Sequence, residues 1–427
     1  MNPASEPPPG TLARNTAALA VGFFARTPIL LVYFVLATRT LGVADYGVLA
    51  AISAVCAITG PLAAFGSTHL LIRHASQDLS TARSWLGSGL TVSALGSLVV
   101  GAFVLATAPV LLPPETPYAA LALLLAGELV LARIVEMCSA VFVASERMHL
   151  KTLIQIGLPV ARLGAVLILL AGPWSITLTR WALAGVIATG VWSVLALVLA
   201  IRAVGRPGWS MAPYLREWRQ GLLFAAGLGV DNVHNEADKI VLARLDGPVA
   251  AGVYAAAYRI LEVAYTPIRA LLGAAFPRMF RHGAAGSAAL RPLLRRLLKY
   301  GLGYSLLAVP AVVFLAPLVP RILGDEFANV APVLASLAVL IPLRTVRALP
   351  ADTLTGAGYQ GRRTVAQLVV AVVNVVLLLA LVPPWGIRGA VFATLVAEAL
   401  LAVVLWTMWW QVRLVVRQLT PDGTLPR

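Results

Sequence analysis

Charged and amide side chains interrupt segments of this chain that are otherwise apolar, and the densest polar run lies in residues 231–239. Asp231, His234, Asn235 and Asp238 follow the i, i+3, i+4, i+7 spacing that places side chains on one helix face. Acid, imidazole and amide groups that face an aqueous cavity bind hydroxyl groups or exchange protons. We therefore predict His234 and Asn235 as ligand-binding residues and Asp231 as an ion site.

Two arginines in a later apolar segment form a second candidate site. Arg344 and Arg347 place like charges on one helix face, and Asp352 lies too far along the chain to neutralise both. Because charge within a membrane segment needs a partner, two such cations favour an anionic ligand. The alternative is that both long side chains extend to the membrane interface.

Other charges have a partner of opposite sign on their own helix. Pairs at i, i+3 spacing are Arg133 with Glu136, Glu236 with Lys239, and Arg259 with Glu262. Charges of opposite sign on one face neutralise each other, which lowers the cost of placing them in hydrocarbon. We interpret these as structural pairs that set helix packing, and a functional role is the alternative.

The composition is that of a membrane protein. Of the 427 residues, 59% are hydrophobic and 12% are charged, and the mean hydropathy is +0.86. A soluble domain cannot bury that much apolar surface, so lipid must be the solvent for much of it. The net charge of +15 comes mainly from basic residues in short loops. These indicate membrane topology and contacts with anionic lipid, and no nucleic-acid partner is predicted.

Residues suited to hold a cofactor are scarce in the sequence. Cys56 and Cys138 both lie in apolar segments, where cysteine behaves as a small hydrophobic residue. The sequence contains neither a Walker-type phosphate loop nor a Cys/His metal spacing. No cofactor is therefore predicted, and both cysteines are expected to be buried.

The predicted fold is all-α and integral to the membrane, with about twelve transmembrane helices. Each segment is long enough to cross about 30 Å of hydrocarbon. The segments are 14–38, 46–70, 85–111, 118–144, 150–172, 180–201, 220–243, 249–276, 297–319, 330–355, 364–382 and 388–411. Basic residues crowd alternate connections and the C-terminal tail, including Arg73, Arg83, Arg147, Arg202, Arg206, Arg216, Arg219, Arg278, Arg281, Arg362, Arg363, Arg413 and Arg417. Because such loops stay in the cytoplasm, both termini are predicted to be cytoplasmic.

Two sequence repeats indicate an internal duplication. Residues 45–51 at the start of the second segment resemble residues 250–256 at the start of the eighth, and a Pro-Trp pair before the sixth recurs before the twelfth. Six helices are an even number, so the two copies share one orientation. The sequence therefore predicts six-helix lobes at 1–205 and 206–427, related by a pseudo-two-fold axis along the membrane normal.

Several short motifs resemble those of a known family. They are Leu41-Gly42-Val43-Ala44-Asp45-Tyr46-Gly47, Asp238-Lys239-Ile240-Val241-Leu242, Gly252-Val253-Tyr254, Ala257-Tyr258-Arg259 and Phe276-Pro277-Arg278. They are similar to the signatures of the polysaccharide-biosynthesis flippases. These are the oligosaccharide flippases of the multidrug/oligosaccharidyl-lipid/polysaccharide exporter superfamily. The resemblance extends over nearly the whole chain in span number, duplication and loop pattern.

The resemblance implies a transporter of the bacterial inner membrane rather than an enzyme. Its cargo would be an undecaprenyl-diphosphate-linked oligosaccharide, moved by alternating access and coupled to an ion gradient, and its partners would include a glycan polymerase and chain-length proteins. A cationic cavity would hold the diphosphate. We carry that role onto Arg26, Arg344 and Arg347, which lack a close acid on the same helix, and include Arg269 in the cavity.

Two other functions remain open at this point. A cation-coupled multidrug or metabolite antiporter shares the related fold, although an arginine-rich lumen favours anionic cargo. A membrane-embedded glycan enzyme would need a sizeable extramembrane loop to shape its acceptor site, and the predicted loops are short.

Overall fold

The chain folds into α-helices. A computed structural model describes the backbone of residues 9–284 and 287–419, and the side chains of residues 25–275, 279 and 292–411. The helices in these ranges are α1 (Pro9–Ala64), α2 (Ser67–Ala75), α3 (Ala82–Leu111), α4 (Tyr118–Leu125), α5 (Ala132–Ala144), α6 (Met148–Ala171), α7 (Leu178–Val204), α8 (Ala212–Leu245), α9 (Pro248–Ala284), α10 (Ser287–Leu315), α11 (Val319–Leu323), α12 (Val330–Leu337), α13 (Leu340–Gly356), α14 (Gln360–Trp385) and α15 (Ile387–Leu419). A π-helical turn at Ala126–Leu131 joins α4 to α5.

The predicted transmembrane segments correspond to helices. Among the described residues, nine helical stretches are long and apolar enough to cross a membrane. The first of them, Ala25–Ala64, contains parts of the predicted spans 14–38 and 46–70, which are separated by a break at Gly42. The other two predicted spans are α8 and α9, which are long enough to cross but carry the polar run and several charges. The prediction of an all-α membrane fold is confirmed, whereas the chain termini lie outside the described residues.

The break in α1 depends on glycine. Gly42 has a φ of +75° and a ψ of 174°, a conformation that ends the helical hydrogen bonding and that glycine adopts at little cost. A Cβ atom at this position would also approach Glu326 Oε2 to 2.8 Å. That oxygen accepts a hydrogen bond of 2.9 Å from the Val43 backbone N–H. Glu326 therefore satisfies an amide group at the start of the second helical part of α1.

The chain divides into two compact units. Unit 1 comprises residues 1–41 and 52–229, and unit 2 comprises residues 42–51 and 230–427. The second division falls inside α8, beyond the boundary between residues 205 and 206 that the duplication predicts, and the short segment 42–51 belongs to the second unit. The lobe boundaries 1–205 and 206–427 stay a prediction.

The two copies of the first sequence repeat, residues 45–51 and 250–256, both lie in unit 2, and they approach each other through glycine. A Cβ atom on Gly47 would lie 1.9 Å from the Pro248 carbonyl oxygen. Reciprocally, a Cβ atom on Gly252 would lie 2.1 Å from the Val43 carbonyl oxygen. Each glycine packs against the backbone just before the other copy of the repeat. A larger residue at either position would therefore force the two helices apart.

Unit 1 contains an apolar core between α2, α3, α5 and α7. Leu71, Trp85, Met137 and Phe142 are among its buried side chains. Cys138 is part of the same core, and Cys56 is likewise buried and free, as the sequence predicts. Dense packing of this kind is typical of the helix contacts that hold a membrane bundle together.

Candidate functional site

The polar stripe of α8 faces other polar residues of unit 2. Gln367 on α14 donates a hydrogen bond of 3.0 Å from Nε2 to Asp231 Oδ1. The Asn235 side chain donates to the Asp231 carbonyl oxygen at 2.7 Å, so that its amide group is bound within its own helix. Asp238 is almost fully buried, and its Oδ2 accepts a hydrogen bond of 2.7 Å from the Tyr254 hydroxyl on α9. Residues of the stripe therefore have hydrogen-bond partners on at least two neighbouring helices.

Lys239 neutralises the acids at the end of this stripe. Its Nζ donates to Glu236 Oε2 at 2.6 Å and lies 3.9 Å from Asp238 Oδ1. The same ammonium group lies 4.4 Å from the centre of the Tyr258 ring, where the face of the ring attracts a cation. The predicted pair between Glu236 and Lys239 is confirmed.

Arg344 on α13 is buried among acids from two other helices. Its Nε donates to Glu398 Oε1 at 3.0 Å, and its Nη1 donates to Glu262 Oε1. Its Nη2 donates to the Tyr258 hydroxyl, and its guanidinium carbon also lies 4.9 Å from the centre of the same ring. Every nitrogen of this buried guanidinium group is thus hydrogen-bonded, as a buried cation requires.

Arg347, one helical turn further along α13, binds the same carboxylate. Its Nε lies 3.1 Å from Glu398 Oε2, and the carboxylate is only 1% exposed. Its Nη1 is buried and has no hydrogen-bond partner among the described residues. The expectation that Arg344 and Arg347 lack a neutralising acid is wrong. The acids lie on α15 and α9, where spacing along α13 could not reveal them.

Glu262 on α9 has partners other than the predicted one. It binds both Arg344 and Arg269, which is one of the predicted cavity arginines. The predicted pair of Arg259 with Glu262 is therefore wrong, because side chains from other positions occupy the carboxylate. Arg269 remains about half exposed, with its guanidinium carbon 5.6 Å from the centre of the Tyr265 ring.

His234 completes the group around Glu398. Its imidazole is buried, and Nε2 lies 3.6 Å from Glu398 Oε1. Neither its buried Nδ1 nor the buried side-chain oxygen of Asn374 on α14 has a hydrogen-bond partner in the described part of the chain. The Asn374 amide donates to the His234 carbonyl oxygen at 3.4 Å. We call these residues, together with Glu236, Asp238, Lys239, Tyr254, Tyr258, Glu262, Arg269, Arg344 and Arg347, the unit-2 network.

In unit 1, the charges on α5, on α6 and in the π-helical turn form separate pairs. Arg133 binds Glu136 within α5, which confirms that predicted pair. Arg162 on α6 binds Glu128 Oε1 at 2.7 Å and Thr189 Oγ1 at 3.0 Å. Glu128 lies in the π-helical turn, a feature that often occurs at functional sites. The remaining predicted cavity residue, Arg26, is exposed on α1 in unit 1.

Sequence reasoning missed the residue at the centre of the network. Glu398 is a lone acid in the apolar helix α15, and such an acid must find a partner on another helix. That signal was present in the sequence, although it could not name Arg344 and Arg347 as the partners. Tyr254 and Tyr258 gave no comparable signal, because buried tyrosines are common in helix packing. Among the described residues, no group of three or more His, Cys, Asp or Glu side chains could hold a metal ion.

Comparison with known families decides the family of the chain. The model of the polysaccharide biosynthesis protein family matches residues 12–282. The chain belongs to this family. The resemblance noted in the sequence motifs is thus confirmed, whereas no curated protein sequence matches the chain.

Solved structures show the same fold. An inward-facing multidrug resistance MATE family transporter of the MOP superfamily has a TM-score of 0.74 and 15% identity, with coverage of 93% of this chain and 95% of that one. An outward-facing structure of such a transporter has a TM-score of 0.68 and 14% identity, with coverage of 95% and 97%. A MOP superfamily transporter from Pyrococcus furiosus, whose binding pocket is described as reversed in polarity, has a TM-score of 0.68 and 14% identity, with coverage of 95% and 96%.

Proposed function

We propose that the protein is a flippase that moves an undecaprenyl-diphosphate-linked oligosaccharide across the bacterial inner membrane for surface polysaccharide biosynthesis. Membership of the polysaccharide biosynthesis family supports this class of cargo. The fold shared with MOP superfamily transporters supports movement by alternating access. On this proposal the chain performs no covalent chemistry, both termini are cytoplasmic, and a glycan polymerase and chain-length proteins act on the exported lipid.

The observation that carries the proposal is a partly exposed arginine with one buried hydrogen-bond donor that no described residue binds. Arg347 keeps Nη1 without a hydrogen-bond partner among the described residues, although its Nε lies 3.1 Å from Glu398 Oε2. A guanidinium group matches the oxygens of a phosphate in charge and geometry. Arg269 is the other accessible cation of the network, since about half of its side chain is exposed. These two arginines are the proposed contacts for the diphosphate.

Cargo binding would proceed by exchange of partners. The network contains as many acids as cations: Glu236, Asp238, Glu262 and Glu398 against Lys239, Arg269, Arg344 and Arg347. Because these charges balance, an arriving anion must displace a carboxylate from an arginine. Arg269 and Arg347 have more exposed side chains than Arg344, so they are the arginines that can exchange.

The other predicted site residues keep proposed roles. Arg26 would contact the cargo, and Asn235 would contact sugar hydroxyls once its amide leaves the Asp231 carbonyl oxygen. Asp231 is the proposed coupling-ion site, because its bonded partner among the described residues is the neutral Gln367 amide rather than a cation. A carboxylate in that setting can take up a cation without first losing an arginine.

A cation-coupled multidrug or metabolite antiporter is the second candidate function. The balanced charge of the unit-2 network favours it, since four acids could also serve a cationic ligand. The lipid-linked sugars of a strain that lacks the gene separate the two functions. A flippase predicts that one complete repeat unit accumulates, whereas an antiporter predicts an unchanged lipid profile.

The test combines mass spectrometry of lipid-linked oligosaccharides with labelling of intact spheroplasts, which reports the leaflet that holds them. We expect the complete repeat unit on the cytoplasmic face of the deletion strain, and its return to the outer face when the wild-type gene is restored. Arg347→Gln should fail to restore export, and Arg347→Lys should restore it in part, since lysine keeps the charge but loses the planar donors. Arg388→Gln, at an exposed arginine of the same unit, is the matched control. A normal lipid profile in the deletion strain would exclude the flippase.

A further inference from the structure

His234 is a buried base whose second nitrogen is unused. The imidazole is only 3% exposed, and Nε2 points toward the Glu398 carboxylate at 3.6 Å. With the ring proton on Nε2, the lone pair of Nδ1 is an acceptor that no described residue binds. Buried polar atoms are nearly always paired, so an unpaired one calls for a ligand. The smallest ligand that suits an imidazole nitrogen is a proton.

Protonation of His234 would change the balance around Glu398. That carboxylate already binds Arg344 through one oxygen and Arg347 through the other. An imidazolium would be a third cation on one carboxylate in a network whose charges are otherwise balanced. Excess charge of one sign is costly in a buried site, so that the most weakly held cation must leave. Arg347 is that cation. Among the described residues its acid partner is Glu398 alone, whereas Arg344 binds both Glu398 and Glu262.

We propose that His234 binds a proton at Nδ1, and that this proton releases Arg347 from Glu398 so that its guanidinium group can receive the anionic part of the cargo. The inference rests on the proposed function and assigns its regulation to one residue. His234 acts here as a positioning residue, since it touches Glu398 rather than the cargo. Proton binding and anion binding then favour each other, as linked equilibria require.

The surroundings of His234 support this choice of proton site. The charged and titratable groups of the surrounding site lie on four helices: Asp231, Asp238 and Lys239 on α8, Tyr254 and Tyr258 on α9, Arg344 and Arg347 on α13, and Glu398 on α15, with the neutral amides Gln367 and Asn374 on α14. Lys239 is held by Glu236, and the Asp238 carboxylate is held by Tyr254 and the Lys239 backbone N–H. The imidazole can take up a proton at Nδ1 without losing an existing partner among the described residues.

The direct test is a pH titration of the cargo-free, full-length protein in lipid nanodiscs, labelled with ¹⁵N-histidine. The chain has five histidines, so His234→Gln assigns the resonance and His69→Gln serves as a control outside the network. We expect the His234 nitrogen shifts to change with pH in the pattern of protonation at Nδ1. In Arg347→Gln the midpoint should move up by about one pH unit, because a neighbouring cation is removed, and in Glu398→Gln it should move down.

The wild-type titration alone can overturn the proposal. His234 shifts that stay constant from pH 5 to 9 would do so, whether or not any variant folds. A midpoint that is the same in Arg347→Gln and the wild type would also do so, because the two groups would then not be coupled. This experiment needs no cargo, so its failure leaves the flippase assay untouched, and a failed flippase assay leaves the titration unaffected.

A second measurement tests the link to the anion. Affinity of the purified protein for undecaprenyl diphosphate is measured at pH 8 and pH 6, in the wild type and in His234→Gln. The lipid diphosphate itself changes charge with pH, which affects the wild type and the variant equally. The quantity compared is therefore the wild-type affinity divided by the affinity of the variant at the same pH. We expect this ratio to rise about five- to tenfold from pH 8 to pH 6. A ratio that does not change with pH would overturn the release of Arg347 by the proton.

Discussion

Both units place arginine and glutamate in membrane helices, but they connect them differently. In unit 1, Arg133 with Glu136 and Arg162 with Glu128 are separate pairs, and all four side chains are partly exposed. In unit 2, the almost fully buried Glu398 joins two arginines and a histidine, and Glu262 joins Arg344 to Arg269. The difference lies in connectivity and burial rather than in the kinds of residue.

The comparison indicates which unit can respond to a ligand. In an isolated pair, loss of one partner affects one other group, so the change stays local. In a branched and buried network, a new charge at one position alters the partners of several others, because the low dielectric carries the effect. The residues proposed for anion and proton binding in unit 2 are members of such a network, which is why we assign the exchange of partners to that unit.

Removal of the central acid should have the largest effect. Glu398→Gln leaves Arg344 and Arg347 without the carboxylate they share, and loss of one partner of a buried ion pair costs about 3–5 kcal/mol. Glu136→Gln, which breaks a partly exposed pair in unit 1, should cost about 0.2–1 kcal/mol. Thermal unfolding in detergent, followed by tryptophan fluorescence, compares the two. Equal losses would contradict the distinction between network and pair.

A steric change separates packing from charge. Gly47→Ala brings a methyl group against the Pro248 carbonyl oxygen in unit 2 and should cost about 1–3 kcal/mol, although no charge changes. Gly164→Ala is the matched control in a helix of unit 1, since nothing lies within 4 Å of the added carbon. The control should be neutral or slightly stabilising, because alanine favours helix more than glycine does. Similar unfolding temperatures for both variants would show that the close approach at Gly47 tolerates a side chain.

Charge reversal sharpens the comparison further. Glu128→Arg combined with Arg162→Glu should recover most of the stability lost in either single variant, about 0.2–1 kcal/mol, because the pair stands largely alone. Recovery is incomplete, since the hydrogen bond to Thr189 is lost. Arg347→Glu combined with Glu398→Arg should recover nothing, because an arginine at position 398 would face Arg344. Double-mutant cycles of unfolding temperature measure both cases, and rescue in unit 2 would argue against a shared carboxylate.

The smallest effect on stability is expected at the proposed coupling site. Asp231→Asn keeps an oxygen that accepts the hydrogen bond from Gln367, so stability should change by less than about 0.5 kcal/mol. Export of the lipid-linked oligosaccharide should nevertheless lose its dependence on the ion gradient. The spheroplast assay, with and without an ionophore, measures this dependence. An unchanged response to the ionophore would remove Asp231 as the coupling residue, while the pH dependence that we assign to His234 would be unaffected.

Residues that are close along one helix could be paired from the sequence, and residues on different helices could not. The pairs of Arg133 with Glu136 and of Glu236 with Lys239 follow from helical periodicity. The predicted pair of Arg259 with Glu262 obeys the same rule and is nevertheless wrong, because Arg269 and Arg344 compete for the same acid. Spacing predicts which groups on a helix can pair, and competition from other residues, on the same helix or on another, decides which pairs form.

The sequence by itself determined the membrane, the helices and the family, because hydropathy, helical period and short motifs are properties of adjacent residues. It also marked the buried charges, since each one stands out in an apolar segment. Only the tertiary structure decided that Glu398 binds Arg344 and Arg347, and that Nδ1 of His234 has no partner among the described residues. The physical reason is that the approach of α8, α9, α13 and α15 depends on the packing of all four helices, which no single segment encodes.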